Sequence, residues 1–144
     1  MSESNLNYKN KRILQIIPNM EIGGAERTVL EITSFLKDAE FSSLVLTSGG
    51  KLIGELEKEN IEVIKLKIDK KNPYSIIKNF FLFIKIFREK KIDLVHVRSR
   101  APAWSAIFAA KKIGIPVLTT WHGHVSNSSF IKKIYNSIML KGDA

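Results

Sequence analysis

Apolar residues along this chain alternate between two spacings. In the first they stand side by side in short runs: KRILQII at 11–17, SSLVLT at 42–47, IEVIKL at 61–66, IDLVHV at 92–97 and IPVLTT at 115–120. Runs of this length, rich in Ile and Val, predict strands buried in a sheet. In the second, apolar positions recur every three or four residues, as on one face of a helix. Ala25, Val29, Ile32 and Leu36 form such a stripe, with Glu26, Arg27, Glu31 and Lys37 outside it. Residues 51–59 predict a short helix ended by Asn60 as a left-handed cap, and 74–90 predict a long one. Pro102 suits the first turn of a further helix that Gly114 stops, and 128–140 predict the last.

Strand and helix thus alternate about five times through short connections. That order calls for parallel strands joined by right-handed crossovers: an α/β, doubly wound, Rossmann-like sheet. Ligands of such sheets bind beyond the carboxyl ends of the strands. Three loops qualify: Pro18–Gly24, Arg98–Ala101 and Trp121–Asn127.

Composition narrows the setting. At 144 residues the chain has the length of one ordinary domain. Residues 1–10 are polar and read as a flexible tail rather than a secretory signal, leaving 11–144 as the folded unit. No run of apolar residues is long enough to span a bilayer. The absence of Cys excludes disulfides and thiolate metal sites and is compatible with a reducing cytoplasm. Lys and Arg number 23 against 14 Asp and Glu, a net charge of +9. Such a balance suits anionic partners, and solvated lysine faces account for it equally well. No recognisable nucleic-acid module accompanies the charge, so nucleic acid is not an expected partner.

The three loops carry the candidate chemistry. At Gly23-Gly24 a strand turns into a helix whose first amides, at Gly24, Ala25 and Glu26, would favour a phosphate. The same pair also suits a tight corner that needs glycine for steric reasons alone. The turn is neither GxGxxG nor GxxxxGK[ST], and the second strand ends in Thr47-Ser48-Gly49 with no acid for a ribose. NAD and Walker-type ATP binding are therefore not expected. In TTWHGHVS, residues 119–126, His122 follows a strand end beside Gly123 and suits proton transfer. His96, His122 and His124 lack the carboxylate or thiolate company of a metal site, and His96 reads as a strand core residue. Arg98, Ser99 and Arg100 place two guanidiniums around a hydroxyl at a strand exit, suited to a phosphate or carboxylate. Surface salt bridging explains those charges as well. In 74–91 the apolar positions exceed what one buried face needs, and Lys78, Lys85, Arg88 and Lys90 border them. A helix of that kind could lie on an anionic membrane surface.

The segments IPNMEIGGAERTVLEI, VHVRSRAPAWSAIFAAKKIGIPV and TTWHGHVS, in this order, resemble the N-terminal domain of family 4-like glycosyltransferases of GT-B fold. RSRAPAWSA with IYNSIMLKGDA resembles a subset tied to lipopolysaccharide core or related surface-glycan synthesis in bacteria. The resemblance runs from about residue 11 to the end of the chain. It implies a retaining, metal-independent transfer of a sugar from a nucleotide sugar, without a cofactor. It puts Gly23 and Gly24 by the donor diphosphate and His122, as the catalytic residue, by the reacting carbon. Arg98, Ser99, Arg100, Trp121 and Gly123 become candidate contacts of a glycolipid or lipid-linked saccharide acceptor. Trp121 departs from the subset, which carries Tyr there. The resemblance further implies a cytoplasmic enzyme touching the inner face of the membrane through 74–91. It also implies a second, donor-binding domain with a Glu-x₇-Glu pattern, absent from these residues, so the chain alone is expected to be inactive. Without the next strand found in relatives, the outer edge of the fifth strand and the last helix are expected to be less supported, and that edge prone to aggregation. The competing reading is a stand-alone Rossmann-like module that binds a phosphorylated ligand or a partner without catalysis.

Overall fold

The computed structural model describes residues 9–120 and 129–144. Five strands lie among the described residues: β1 (Arg12–Ile16), β2 (Ser42–Thr47), β3 (Glu62–Lys65), β4 (Leu94–Val97) and β5 (Val117–Thr119). Helices α1 (Gly24–Asp38), α2 (Ile53–Lys58), α3 (Pro73–Glu89) and α4 (Arg100–Ile113) fill the intervals. Helix α5 (Phe130–Ser137) runs into a 3-10 turn over Ile138–Lys141. The strands form one parallel sheet in the order β3-β2-β1-β4-β5.

Alternation along each strand sorts side chains onto two faces. Leu14 and Ile16 of β1, Leu44 and Leu46 of β2 and Val95 and Val97 of β4 join Phe83, Phe87 and Ile107 in the main core. The rings of Phe83 and Phe87 stack with centroids 5.6 Å apart. Ala103, Ala106 and Ala110 keep α4 slim enough to pack against both the sheet and α3. On the opposite face Ile17, Met20 and Val45 meet Val29 of α1 and Leu52, Ile53 and Leu56 beside and within α2.

After β3 the chain crosses the sheet through α3 and resumes at β4 on the other side of β1. The order therefore reverses between β1 and β4, where α/β sheets open a ligand crevice at their carboxyl edge. The turn after β1 and the turn after β4, which hold two of the three candidate loops, flank that point.

Asn60 and Gly114 adopt the left-handed conformations expected of them, with φ of 58° and 76°. The last helix departs from the 128–140 expectation by tightening into its 3-10 turn at Ile138, which lets Ile138 and Met139 enter the main core. The outer edge of β5 departs as well. The amide of Asp143 donates to the Val117 carbonyl at 2.7 Å, and that of Thr119 donates to the Ala144 carbonyl at 2.8 Å. The Asp143 carboxylate also accepts from the Val117 amide at 2.8 Å. Residues 143–144 thus pair with the edge that was expected to be poorly supported.

Candidate functional site

The chain leaves β1 through a clamp. The Pro18 carbonyl accepts from the Ser48 amide at 2.8 Å, the Met20 amide donates to Gly49 at 2.7 Å, and the Met20 carbonyl accepts from Leu52 at 2.8 Å. Thr47 Oγ1 adds a bond to the Pro18 carbonyl at 3.1 Å. Gly50 makes this clamp possible. Its φ is 140°, and a Cβ there would lie 2.3 Å from the Met20 carbonyl carbon. The turn after β1 is thereby fixed by its neighbour on β2, while the side chain of Met20 is wholly buried.

Gly23 caps α1 in an extended conformation, with φ −158°, and no side chain caps the helix. Gly24 is the first helical residue, and a Cβ on it would meet nothing within 4 Å. At Gly23 a Cβ would meet only the tip of Glu26, its Oε2 at 2.4 Å. Neither glycine is demanded by a left-handed backbone or by packing against the main chain. What their small size does is leave the uncapped amides of the first turn open to approach. The Glu26 carboxylate curls over this spot and uses part of the positive helix end itself.

The three residues after β4 point in different directions. Arg98, only 5% exposed, turns inward. Its Nε donates to Gln15 Oε1 at 3.1 Å and its Nη2 approaches His96 Nδ1 at 3.4 Å. Gln15 Nε2 donates in turn to Thr33 Oγ1 of α1 at 2.6 Å, and His96 Nε2 bonds Thr120 Oγ1. A buried polar chain therefore runs Thr33–Gln15–Arg98–His96–Thr120 beneath the crevice, linking α1 to the exit of β5. Burial lowers the pKa of Arg98 from its usual value, yet a guanidinium starts so high that the charge persists. No ion pair to Arg98 forms among the described residues.

Ser99 occupies the N-cap of α4 without a capping bond from its side chain. Arg100 reaches outward to Asn136 Oδ1 and lies 5.9 Å from the Tyr135 ring centroid. Lys71 approaches the same ring at 5.5 Å, and Trp104 stacks on it at 6.5 Å. The Tyr135 hydroxyl is buried without a hydrogen-bond partner among the described residues. That burial raises its pKa, against a smaller downward pull from Arg100. Arg100 thus fastens α5 to the start of α4.

Trp121, His122, Gly123 and His124 lie outside the described residues. His96 is a buried strand residue, as its pattern predicted. Gln15, Thr33 and Gly50 are contributors that sequence reading missed. A polar residue inside the run Ile13-Leu14-Gln15-Ile16-Ile17 was the available signal for the first.

The Glycosyltransferase Family 4 profile matches residues 22–143. A glycosyltransferase from Rickettsia africae ESF-5 shares 38% identity over 93% of this chain and 35% of its own, with a TM-score of 0.75. Acinetobacter baumannii MurG aligns over 89% of this chain and 39% of its own at 19% identity, TM-score 0.66. Anabaena Alr3699/HepE, solved in complex with UDP and glucose, aligns over 90% and 35% at 16% identity, TM-score 0.65. The chain therefore spans little more than a third of these proteins. No curated protein sequence matches significantly.

Proposed function

The chain belongs to glycosyltransferase family 4 and has the fold of the N-terminal half of a GT-B enzyme; from that premise we propose that it forms the acceptor-side half of a retaining nucleotide-sugar transferase. The observation that carries the reading is the start of α1, uncapped and bare at Gly24 beside the β1/β4 switch point. In the transfer, the bond between the anomeric carbon and the donor diphosphate breaks while a bond to an acceptor hydroxyl forms. Negative charge then grows on the departing diphosphate. The amides and helix dipole of that turn stabilise the charge once the Glu26 carboxylate swings aside. UDP in the HepE complex is a nucleotide of the required class.

His122 is assigned the position by the reacting carbon, and Trp121 and Gly123 the acceptor side. Arg98 acts from beneath, holding β1, β4 and the exit of β5 in register. Ser99 at the head of α4 is assigned to the acceptor side, whereas Arg100, fastened to Asn136, would reach an acceptor only by giving up that bond. Acceptors of glycolipid or lipid-linked saccharide type fit the exposed apolar side chains of Tyr74, Ile77 and Phe81 on α3. Those side chains suit contact with the cytoplasmic face of a membrane, where lipopolysaccharide-type acceptors are built. The chain by itself is expected to turn over no nucleotide sugar, because the resemblance assigns most donor contacts to a second domain.

The test is sugar transfer from a panel of nucleotide sugars to a membrane lipid extract, using the gene product in its complete form. Transfer with retained anomeric configuration, cut at least about a hundredfold by His122→Ala, is the expected result. Transfer unaffected by that substitution removes His122 from its role, and no transfer from any donor defeats the reading.

A further inference from the structure

A cavity of about 440 Å³ opens where β3 ends and α3 begins. Lys65, Lys67, Lys70 and Lys78 all line it. Its size lies within the roughly 300–1,000 Å³ of ordinary small-molecule sites. Four lysines elsewhere stand beside carboxylates: Lys9 with Glu40, Lys11 with Asp93, Lys85 with Glu89 and Lys90 with Glu62. Others, such as Lys58, Lys111 and Lys112, enter no ion pair among the described residues and line no shared hollow with one another. The four cavity lysines enter no ion pair among the described residues. Four ammoniums around one hollow repel each other, and an anion seated among them removes that repulsion.

The walls are firmly built. The Leu66 amide donates to the Thr47 carbonyl at 3.0 Å, Ser48 Oγ donates to the Leu66 carbonyl at 3.1 Å, and the Ile68 amide donates to Ser48 Oγ at 3.0 Å. Ile68 is wholly buried, and Asn79, nearly so, ties the Lys67 carbonyl to α3 through its Nδ2 at 3.3 Å. On the α3 side, Asn72 Oδ1 accepts from the Ser75 amide at 2.8 Å and fixes the first turn. The backbone carrying three of the lysines is thus held on both flanks, and the helix start adds its own positive end.

We propose that this cavity is a binding site for a phosphate group, as a free phosphate ester or as the headgroup of an anionic phospholipid. Phosphate is favoured over a carboxylate because its several oxygens can engage separate ammoniums at once. The site lies past β3, away from the glycine turn after β1, and it stands whether or not the chain belongs to a transferase. Lys67→Gln/Lys70→Gln/Lys78→Gln tests it against an equally charged control, Lys58→Gln/Lys111→Gln/Lys112→Gln, both checked for folding by circular dichroism. At low salt, inorganic phosphate is titrated by NMR, and sedimentation is measured with phosphatidylglycerol vesicles and with phosphatidylcholine vesicles. The cavity variant is expected to lose binding about a hundredfold while the control keeps it. Loss seen with inorganic phosphate identifies the free ester, and loss seen only with phosphatidylglycerol identifies the headgroup. Equal losses in both variants, or no binding by the unaltered chain to either probe, overturn the proposal.

Discussion

Gly50 and Gly24 show two different reasons for a glycine. Gly50 has a φ of 140° and no room for a Cβ beside the Met20 backbone. Gly50→Ala is expected to cost about 2–4 kcal/mol, because strain and a main-chain clash act together; urea denaturation measures it. Gly24 carries neither constraint. Tyr135 supplies a pH prediction. Its hydroxyl is buried without a partner among the described residues, and that burial raises its pKa above the ordinary tyrosine value. A raised folded-state pKa means a contribution fully present below the unfolded value and lost as pH climbs through the folded one. Unfolding followed above pH 10 should therefore show a loss of stability that Tyr135→Phe removes. At neutral pH that substitution should change stability by less than about 1 kcal/mol, since it deletes an unpaired hydroxyl and keeps the ring.

Helix α3 holds both kinds of apolar residue within two positions of each other. Phe83 is 0% exposed and stacked in the core, while Phe81 is 65% exposed. Phe83→Ala is expected to cost about 3–5 kcal/mol. Phe81→Ser should stay within about 0.5 kcal/mol in chemical denaturation, and on the membrane reading it should weaken sedimentation with anionic vesicles. Retained sedimentation would detach that face from the membrane. Periodicity made both the helix and its surplus apolar width legible. Strand runs were legible too, because Ile and Val cluster where both sheet faces are covered. Interactions across strands were not. The chain Gln15–Arg98–His96 depends on Gln15 standing opposite His96 in register, a fact of sheet order rather than of local pattern. Arg98 therefore read as a candidate ligand contact at the strand exit, and the structure turns it inward. The Gly50 clamp escaped for the same reason, since it needs β2 beside β1.

At the scale of the molecule, topology does most to locate function. A reversal of strand order between β1 and β4 gathers a bare helix start, a buried arginine chain and the head of α4 at one edge of the sheet. The chain belongs to glycosyltransferase family 4, and the proposed reading gives that edge the family's chemistry. Net charge of +9 fits anionic ligands at more than one place along it. The central claim is that the first turn of α1 receives the diphosphate of a nucleotide-sugar donor. Titration of the ¹⁵N-labelled gene product in its complete form with UDP tests it most directly, comparing the unaltered sequence with Gly24→Val. The substitution should leave stability within about 0.5 kcal/mol, as Val is no worse a helix former than Gly. The account predicts saturable shifts of the Gly23, Gly24, Ala25 and Glu26 amides that vanish in Gly24→Val. Shifts absent from these four amides, or undiminished by the added side chain, would contradict it.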